Sequence, residues 1–276
     1  MGIMMLKYEN ILLEKDLLTH IAKLTLNRPE RRNAINERML DELSSALDDI
    51  SSDDEIRVVV MSGAGDSFCA GGDLQALSGG SESGSWVSDS PDEIRRSFEK
   101  AQKVMLALQR MEKPIIGKIN GVAVGAGLDL AAVCDIRIGT SKTRFMSAYV
   151  KIGLFPGFGG TWLYPRALGS LGKAAELLFT GDFLEAEEAK QLGFLNKLVL
   201  EEDFEDEVMV MAQKIADGPP IAIRLSKLML YKGLEFDLET AMKMAAAAET
   251  ITLSSNDHTE GVNAFRDKRK PKYKGY

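Results

Sequence analysis

Histidine and cysteine are nearly absent from this chain, two of each, and the scarcity removes several chemistries at once. His20 precedes an alternating apolar stretch and His258 follows the polar run Ser254-Ser255-Asn256-Asp257. Neither stands where a serine or cysteine nucleophile would need its base. A zinc site is equally poorly supplied, because no ligand spacing links these residues, and no metal is expected. Cys69 and Cys134 lie in apolar or glycine-rich surroundings without a CxxC arrangement, which suits reduced thiols in a cytoplasmic protein. No apolar run approaches the roughly 20 residues of a membrane span. The N-terminus lacks a basic region followed by an apolar stretch, so a soluble, unexported protein is expected. Basic residues are also in the minority: 34 Lys and Arg against 41 Asp and Glu give a net charge of -7 and pI ≈ 5.1. That balance argues against nucleic acid or an acidic membrane surface as the main partner.

What is there reads as an α/β chain of 276 residues, long for one domain and short for two full ones. Residues 8–13 and 21–26 form a hairpin pattern, with Ala22, Leu24 and Leu26 alternating against Lys23 and Thr25. Helical spacing begins at about Asn36 and runs through Met39, Leu40, Leu43, Ala46, Leu47 and Ile50. Residues 58–61 read as a buried strand. The glycines of the following stretch, Ser62 on through Gly71-Gly72-Asp73-Leu74, predict a loop whose N–H groups can face a ligand. Residues 77–90 have the serine- and glycine-rich composition of a mobile loop. Helices are predicted over 91–111, 171–180 and 186–192, strands over 136–139 and 198–200, and helix throughout from Phe204, broken at Gly218-Pro219-Pro220 and Gly233. The boundary of a C-terminal appendage falls near Leu200, giving units of 1–200 and 201–276.

The chemistry concentrates between Lys113 and Asp135: an apolar strand over 115–119, a turn at Asn120-Gly121, a glycine-rich approach through Gly125 and Gly127, and a helix apolar all round except at Asp129. An acid inside such a helix is costly to bury unless paired or used. If the helix begins at Gly125 or Ala126, the Ala126 N–H is an unpaired first-turn donor, with Asp129 three residues on along the same face. A donor for a developing negative charge and a proton-carrying carboxylate would then converge.

Several ordered pieces together resemble the crotonase, or enoyl-CoA hydratase/isomerase, superfamily. They are Leu26-Asn27-Arg28-Pro29 with Asn33-Ala34, Phe68-Cys69-Ala70-Gly71-Gly72-Asp73-Leu74, Lys113 through Asp135, Gly153-Leu154-Phe155-Pro156-Gly157-Phe158-Gly159-Gly160-Thr161, Thr180-Gly181, Gly193, and Glu260-Gly261 to Lys270-Pro271. The resemblance implies a spiral of repeated ββα units with a C-terminal helical region that builds a homotrimer, or a hexamer from two trimers. It also implies an acyl-CoA thioester as substrate, no separate cofactor, and a place in fatty-acid or aromatic and alicyclic acid degradation. Carried over by position, Gly72 and Ala126 supply the two N–H groups that hold an enolate-like oxygen. Arg31, Asn33, Ala34, Ala70, Asp73, Leu74 and Gly125 would bind substrate, and Phe265 and Lys268 would reach a neighbouring subunit's CoA.

Two departures stand out. Two-acid hydratases of the family carry glutamates where this chain has Asp129 and Tyr149. A displacement of about 1 Å can cost about a hundredfold in rate, and a phenol with an unperturbed pKa near 10 is no neutral-pH base. Tyr149 can instead donate a hydrogen bond or shape the acyl pocket. The stretch around Gly159-Gly160-Thr161-Trp162 looks more like isomerases of phenylacetate-type degradation, yet their aspartate after the proline is Gly157 here. Asp129 alone suits moving a proton between carbons. Hydration, decarboxylation, thioester hydrolysis and a non-catalytic acyl-CoA binder stay open. A dinucleotide-binding reading of Gly125-Ala126-Gly127 fails at its third glycine position, where Leu130 stands.

Overall fold

Alternation in the first hairpin decides which face is inside. In β2 (Ile11–Asp16) Ile11 and Leu13 are buried, and β3 (Ile21–Leu26) pairs with it antiparallel, Ile11 opposite Leu26. The computed structural model describes residues 2–79, 86–88 and 90–276. Half of the serine- and glycine-rich stretch 77–90 expected to be mobile, residues 80–85 and 89, falls outside the described residues. An outer strand, β1 (Ile3–Lys7), extends the hairpin; it is largely exposed and has no sequence period to announce it.

Next comes α1 (Glu37–Ser52), begun by Asn36, whose side chain accepts from the Met39 N–H. From there the chain alternates between two sheets. β4 (Val58–Gly63) joins the large sheet and β5 (Ser67–Cys69) a small one, followed by a short α2 (Leu74–Leu77) and the long α3 (Pro91–Arg110). β6 (Ile115–Ile119) and β7 (Val122–Val124) repeat the move and lead into α4 (Ala126–Val133); β8 (Ile136–Gly139) and β9 (Arg144–Met146) repeat it again, leading through a 3-10 turn, Ala148–Ile152, to α5 (Gly160–Leu168). α6 (Leu171–Thr180), β10 (Phe183–Glu185), α7 (Ala186–Gln191) and β11 (Lys197–Leu198) complete the sheets, whose orders are β1-β2-β3-β4-β6-β8-β11 and β10-β9-β7-β5. The three-residue strands of the small sheet lie where the sequence reads as loop, because three residues are too few to set a period.

The central parallel strands β4 and β6 are buried on both faces, as their apolar runs require, whereas their neighbour β3 keeps its alternation and leaves Lys23 and Thr25 half-buried. Val59 and Met61 point into the main core, while Val58 and Val60 point the other way, with Ile21, Ile116 and Ile138. That second face is covered by α8 (Phe204–Ala216) through Phe204, Val208, Ala212 and Ala216. Turns are tied across units: Asn120 Nδ2 donates to the carbonyls of Gly63 and Gly65 at 2.7 Å each, and its Oδ1 accepts from Gly63 N–H. Gly121 sits at φ +107°, where a side chain would also meet the Asp66 carbonyl.

The remaining helices, α9 (Pro220–Lys232), α10 (Leu238–Leu253) and α11 (Asn256–Arg266), bury little. Leu230, Leu234, Leu238 and Met242 are more than 60% exposed, an apolar face without a partner in the single chain. α9 is nevertheless anchored: Lys227 Nζ lies 2.7 Å from Asp135 Oδ2 and donates to the Lys113 carbonyl, and Tyr231 donates to Asp135 Oδ1. Among the described residues no helix is long and apolar enough to cross a membrane.

Candidate active site

The site forms where the ends of β5 and β7 come together. Leaving β5, Gly71 adopts φ +97°, and a side chain there would lie 2.8 Å from the Val124 carbonyl and 3.7 Å from Ala126 N. Only glycine lets the two backbones approach this closely. Gly71 O accepts from Ile35 N–H and Asp73 N–H donates to Ile35 O, which leaves the Gly72 N–H between them uncommitted to any described residue. On the other side Gly125, at φ +52°, donates to Met146 O, and α4 starts at Ala126. The Ala126 N–H has no helical carbonyl behind it. α4 is drawn close by Gly127, whose missing side chain would sit 2.2 Å from the Cys69 carbonyl. At the far end of α4, the buried Arg137 donates to the carbonyls of Phe194 and Cys134, closing the helix C-terminus with a positive charge.

Gly72 and Ala126 both line a cavity of about 240 Å³. Its walls are apolar and aromatic: Leu77, Trp86, Phe98, Leu154, Phe155 and Phe158. Trp86, Phe98 and Phe158 pack as a cluster with ring centroids 5.4, 5.8 and 6.4 Å apart. Phe158 also lines a second cavity of about 450 Å³, between α3, the start of α5 and the end of α9. Gly157 carries no acid and has no room for one as packed, since a Cβ there would lie 2.6 Å from the Phe98 ring.

Asp129 is fully buried, in the first turn of α4, and is absent from the cavity lining. Tyr149, on the 3-10 turn, lines the cavity and donates its hydroxyl proton to Asp129 Oδ2. Burial pushes the Asp129 carboxyl up to about 7, against the downward pull of the Tyr149 and Tyr164 hydroxyls. The positive end of α4 favours the ionised form as well. Burial and the neighbouring carboxylate hold both phenols well above their ordinary range, and burial pushes the Cys69 thiol up to about 12. Asp129 is therefore the group of this cluster that changes charge near neutrality. Its Oδ1, Tyr164 Oη and Ser147 Oγ are buried without a well-formed hydrogen bond to any described residue. Gly160 makes this cluster possible, because a Cβ there would lie 2.8 Å from both Asp129 Oδ1 and Tyr164 Cζ.

The expected substrate-binding positions divide. Ala70, Leu74 and Gly125 line the cavity, with Leu74 67% exposed. Asn33 is buried and committed internally: its Nδ2 donates to Ala64 O and Ser67 O, and its Oδ1 accepts from Arg28 N–H. Asp73 caps α2 and pairs with Arg28 at 3.0 Å, so its charge is already answered. Ala34 is buried beside them, its carbonyl accepting from Arg28, whereas Arg31 is exposed. Phe265, 89% exposed, and Lys268 lie on and just beyond α11, and a single chain does not bring them to this cavity. Tyr164 and Ser147 escaped the sequence reading; the signal was the Gly159-Gly160 pair, which clears space beside the carboxylate one helical turn before Tyr164. Among the described residues no three His, Cys, Asp or Glu side chains are grouped to hold a metal.

Known proteins match this arrangement over nearly the whole chain. The family model described as enoyl-CoA hydratase/isomerase matches residues 18–276. A crotonyl-CoA hydratase of Syntrophomonas wolfei is 37% identical over 267 residues, covering 96% of this chain and 98% of that protein. A 1,2-epoxyphenylacetyl-CoA isomerase of Escherichia coli is 35% identical, covering 94% and 98%. The crystal structure of an enoyl-CoA hydratase from Mycobacterium smegmatis superposes with a TM-score of 0.88 at 33% identity, covering 96% of this chain and 99% of that one. With paired backbone donors beside a buried acid and these likenesses spanning the fold, the chain belongs to the enoyl-CoA hydratase/isomerase family.

Proposed function

We propose that this enzyme of the hydratase/isomerase type binds an acyl-CoA thioester with its carbonyl oxygen between the N–H groups of Gly72 and Ala126. Those donors hold the negative charge that develops as an enolate forms, and Asp129 is the acid–base group. The single observation that carries the reading is two uncommitted N–H groups on one apolar cavity, with a carboxyl titrating near neutrality hydrogen-bonded to the Tyr149 that lines it. Losing one such preorganised donor costs roughly 2.7–4 kcal/mol of transition-state stabilisation. One titrating acid suits relocating a double bond, since one group can take a proton from one carbon and return it to another. Hydration is the second reading, supported by the crotonyl-CoA hydratase likeness.

The CoA portion would leave the cavity past Ala70 and Leu74, with exposed Arg31 toward its phosphates. Asn33, Ala34 and Asp73 would act by shaping that loop through their internal bonds. The alternation of β4–β5, β6–β7 and β8–β9 between the sheets supports the ββα spiral, with residues 1–200 as its core. The exposed apolar face of α9 and α10 supports trimer assembly by residues 201–276. In such a trimer Phe265 and Lys268 would meet a neighbour's CoA. Incubation with 2-enoyl- and 3-enoyl-CoA substrates, straight-chain and cyclic, in heavy-oxygen water tests the reading by mass spectrometry. A product gaining one labelled water is hydration and an unchanged mass with a moved double bond is isomerisation; no conversion of any of them overturns it.

A further inference from the structure

Asp129 cannot meet a substrate in the arrangement described. Its carboxyl is wholly buried, and Tyr149 stands between it and the cavity, one face on the lining and its hydroxyl bonded to Asp129 Oδ2. Tyr149 Cζ, the carbon that bears that hydroxyl, lies 4.0 Å from where a Gly125 side chain would begin, next to the Ala126 donor. The phenol is thus placed both against the acid and beside the site of the thioester oxygen.

We propose that protons enter and leave the substrate through the Tyr149 hydroxyl, with Asp129 as the proton store behind it and Tyr164 as a positioning residue on the carboxyl's far side. This rests on the enolate-forming reading above and names the atom that touches the substrate. In the forward step a C–H bond next to the thioester carbonyl breaks and its proton passes to Tyr149 Oη. In the same motion Tyr149's own proton crosses to Asp129 Oδ2. The C–H electron pair moves into the thioester, whose oxygen becomes the enolate held by Gly72 and Ala126. Reversal at another carbon returns the proton and leaves the phenol neutral and Asp129 ionised. No free phenolate is formed, which matters because its surroundings strongly disfavour one. The titratable groups facing Asp129 are Tyr149, Tyr164 from α5 and Cys69 from β5, all neutral at pH 7. Lys151, a cation on the cavity wall, pairs with Asp182 instead.

Tyr149→Phe keeps the ring and removes only the relay. Its kcat is expected to fall about 100-fold or more, while KM and thioester binding stay within about threefold. Asp129→Asn should fall as far, and the double variant no further than about threefold below the slower single, since the two act as one unit. Wild-type kcat/KM for proton abstraction should rise through about pH 7 as Asp129 ionises, and the residual rate of Tyr149→Phe should lack that rise. Tyr164→Phe should shift the inflection upward, because a hydroxyl that favours the carboxylate is gone. Because the phenolic proton exchanges with solvent and the C–H proton does not, abstraction by wild type should be slower in D2O when the carbon isotope effect is expressed. That last measurement needs no variant to fold. A Tyr149→Phe enzyme within about threefold of wild type, or no solvent effect on abstraction, overturns the relay while a dead Asp129→Asn would leave the enolate reading standing. Turnover by Asp129→Asn at the wild-type rate would remove that reading's acid as well.

Discussion

Replacing Asp129 by Asn should stabilise the fold at neutral and alkaline pH while it abolishes turnover. The carboxyl is moved by burial from 3.8 to about 7. A raised acid pKa means that between about pH 4 and 7 the folded chain holds a proton the unfolded chain has released. Stability then falls as pH rises, by at most about 1.4 kcal/mol per pH unit. The full difference of about three units amounts to about 4 kcal/mol, present in full below pH 4 and lost once pH passes 7. Asn has nearly the same shape, still accepts a hydrogen bond from Tyr149, and does not titrate here. Its advantage over wild type should therefore grow by about 4 kcal/mol from pH 4 to pH 8 and then level off. Urea denaturation of both proteins across this range, at one fixed protein concentration because assembly contributes to apparent stability, measures it. Every other titrating group cancels in the difference. A gap that stays constant with pH would show that Asp129 ionises like an ordinary carboxylate and refute both the raised pKa and the physical basis for its poise.

Three further outcomes are expected. Phe158→Ala should merge the two cavities that share its ring, raising kcat/KM for eight-carbon or longer enoyl-CoA relative to the four-carbon substrate. With about 0.8 kcal/mol per methylene newly buried, the ratio should move roughly tenfold or more, and an unchanged chain-length profile would refute the partition. Gly160→Ala should push on Asp129 Oδ1 and Tyr164 and lower kcat about a hundredfold with thioester binding retained, read by steady-state kinetics and product titration. Lys227→Met leaves the half-buried Asp135 without its cation, so denaturation should register a loss of up to about 3 kcal/mol, with α9 released first in hydrogen exchange.

Legibility followed element length and the kind of signal each residue gives. The helices of α1 and α3 and the strands β3, β4 and β6 could be read because they repeat an apolar period long enough to register. β5, β7 and β9 could not, for each has three residues and is held by its neighbours more than by its own pattern. The Ala126 donor was legible because a glycine-rich entry into a helix leaves a first-turn N–H without a partner wherever it occurs. The orientation of Asp129 was not. Helical spacing puts it on the face of Ala126, but which neighbour covers that face depends on β9 and the 3-10 turn delivering Tyr149, some twenty residues away. The interior duties of Asn33 and Asp73 were hidden for the same reason: nothing in a polar residue's identity tells whether its partners are a ligand or the chain's own carbonyls and Arg28.

Under the proposed relay, the two departures from the two-acid pattern that the resemblance implies make one coupled change. A carboxylate on the cavity wall would keep a pKa near 4 and be a weak base at neutrality; withdrawing it behind a ring raises its affinity for a proton by about three units, toward the pH at which general bases work best. Withdrawal alone would put the acid out of reach, and Asp is one methylene shorter than the Glu that the resemblance implies at this position. In the proposed relay Tyr149 would bridge that distance with a hydroxyl that stays protonated and brings no second negative charge beside Asp129. A glutamate in its place would set two carboxylates against each other in one dry pocket, and like charges there would force one of them to stay protonated. In that relay the short acid and the phenol would answer each other's shortcomings, and the cost in stability of burying Asp129 would be the same free energy that raises its basicity.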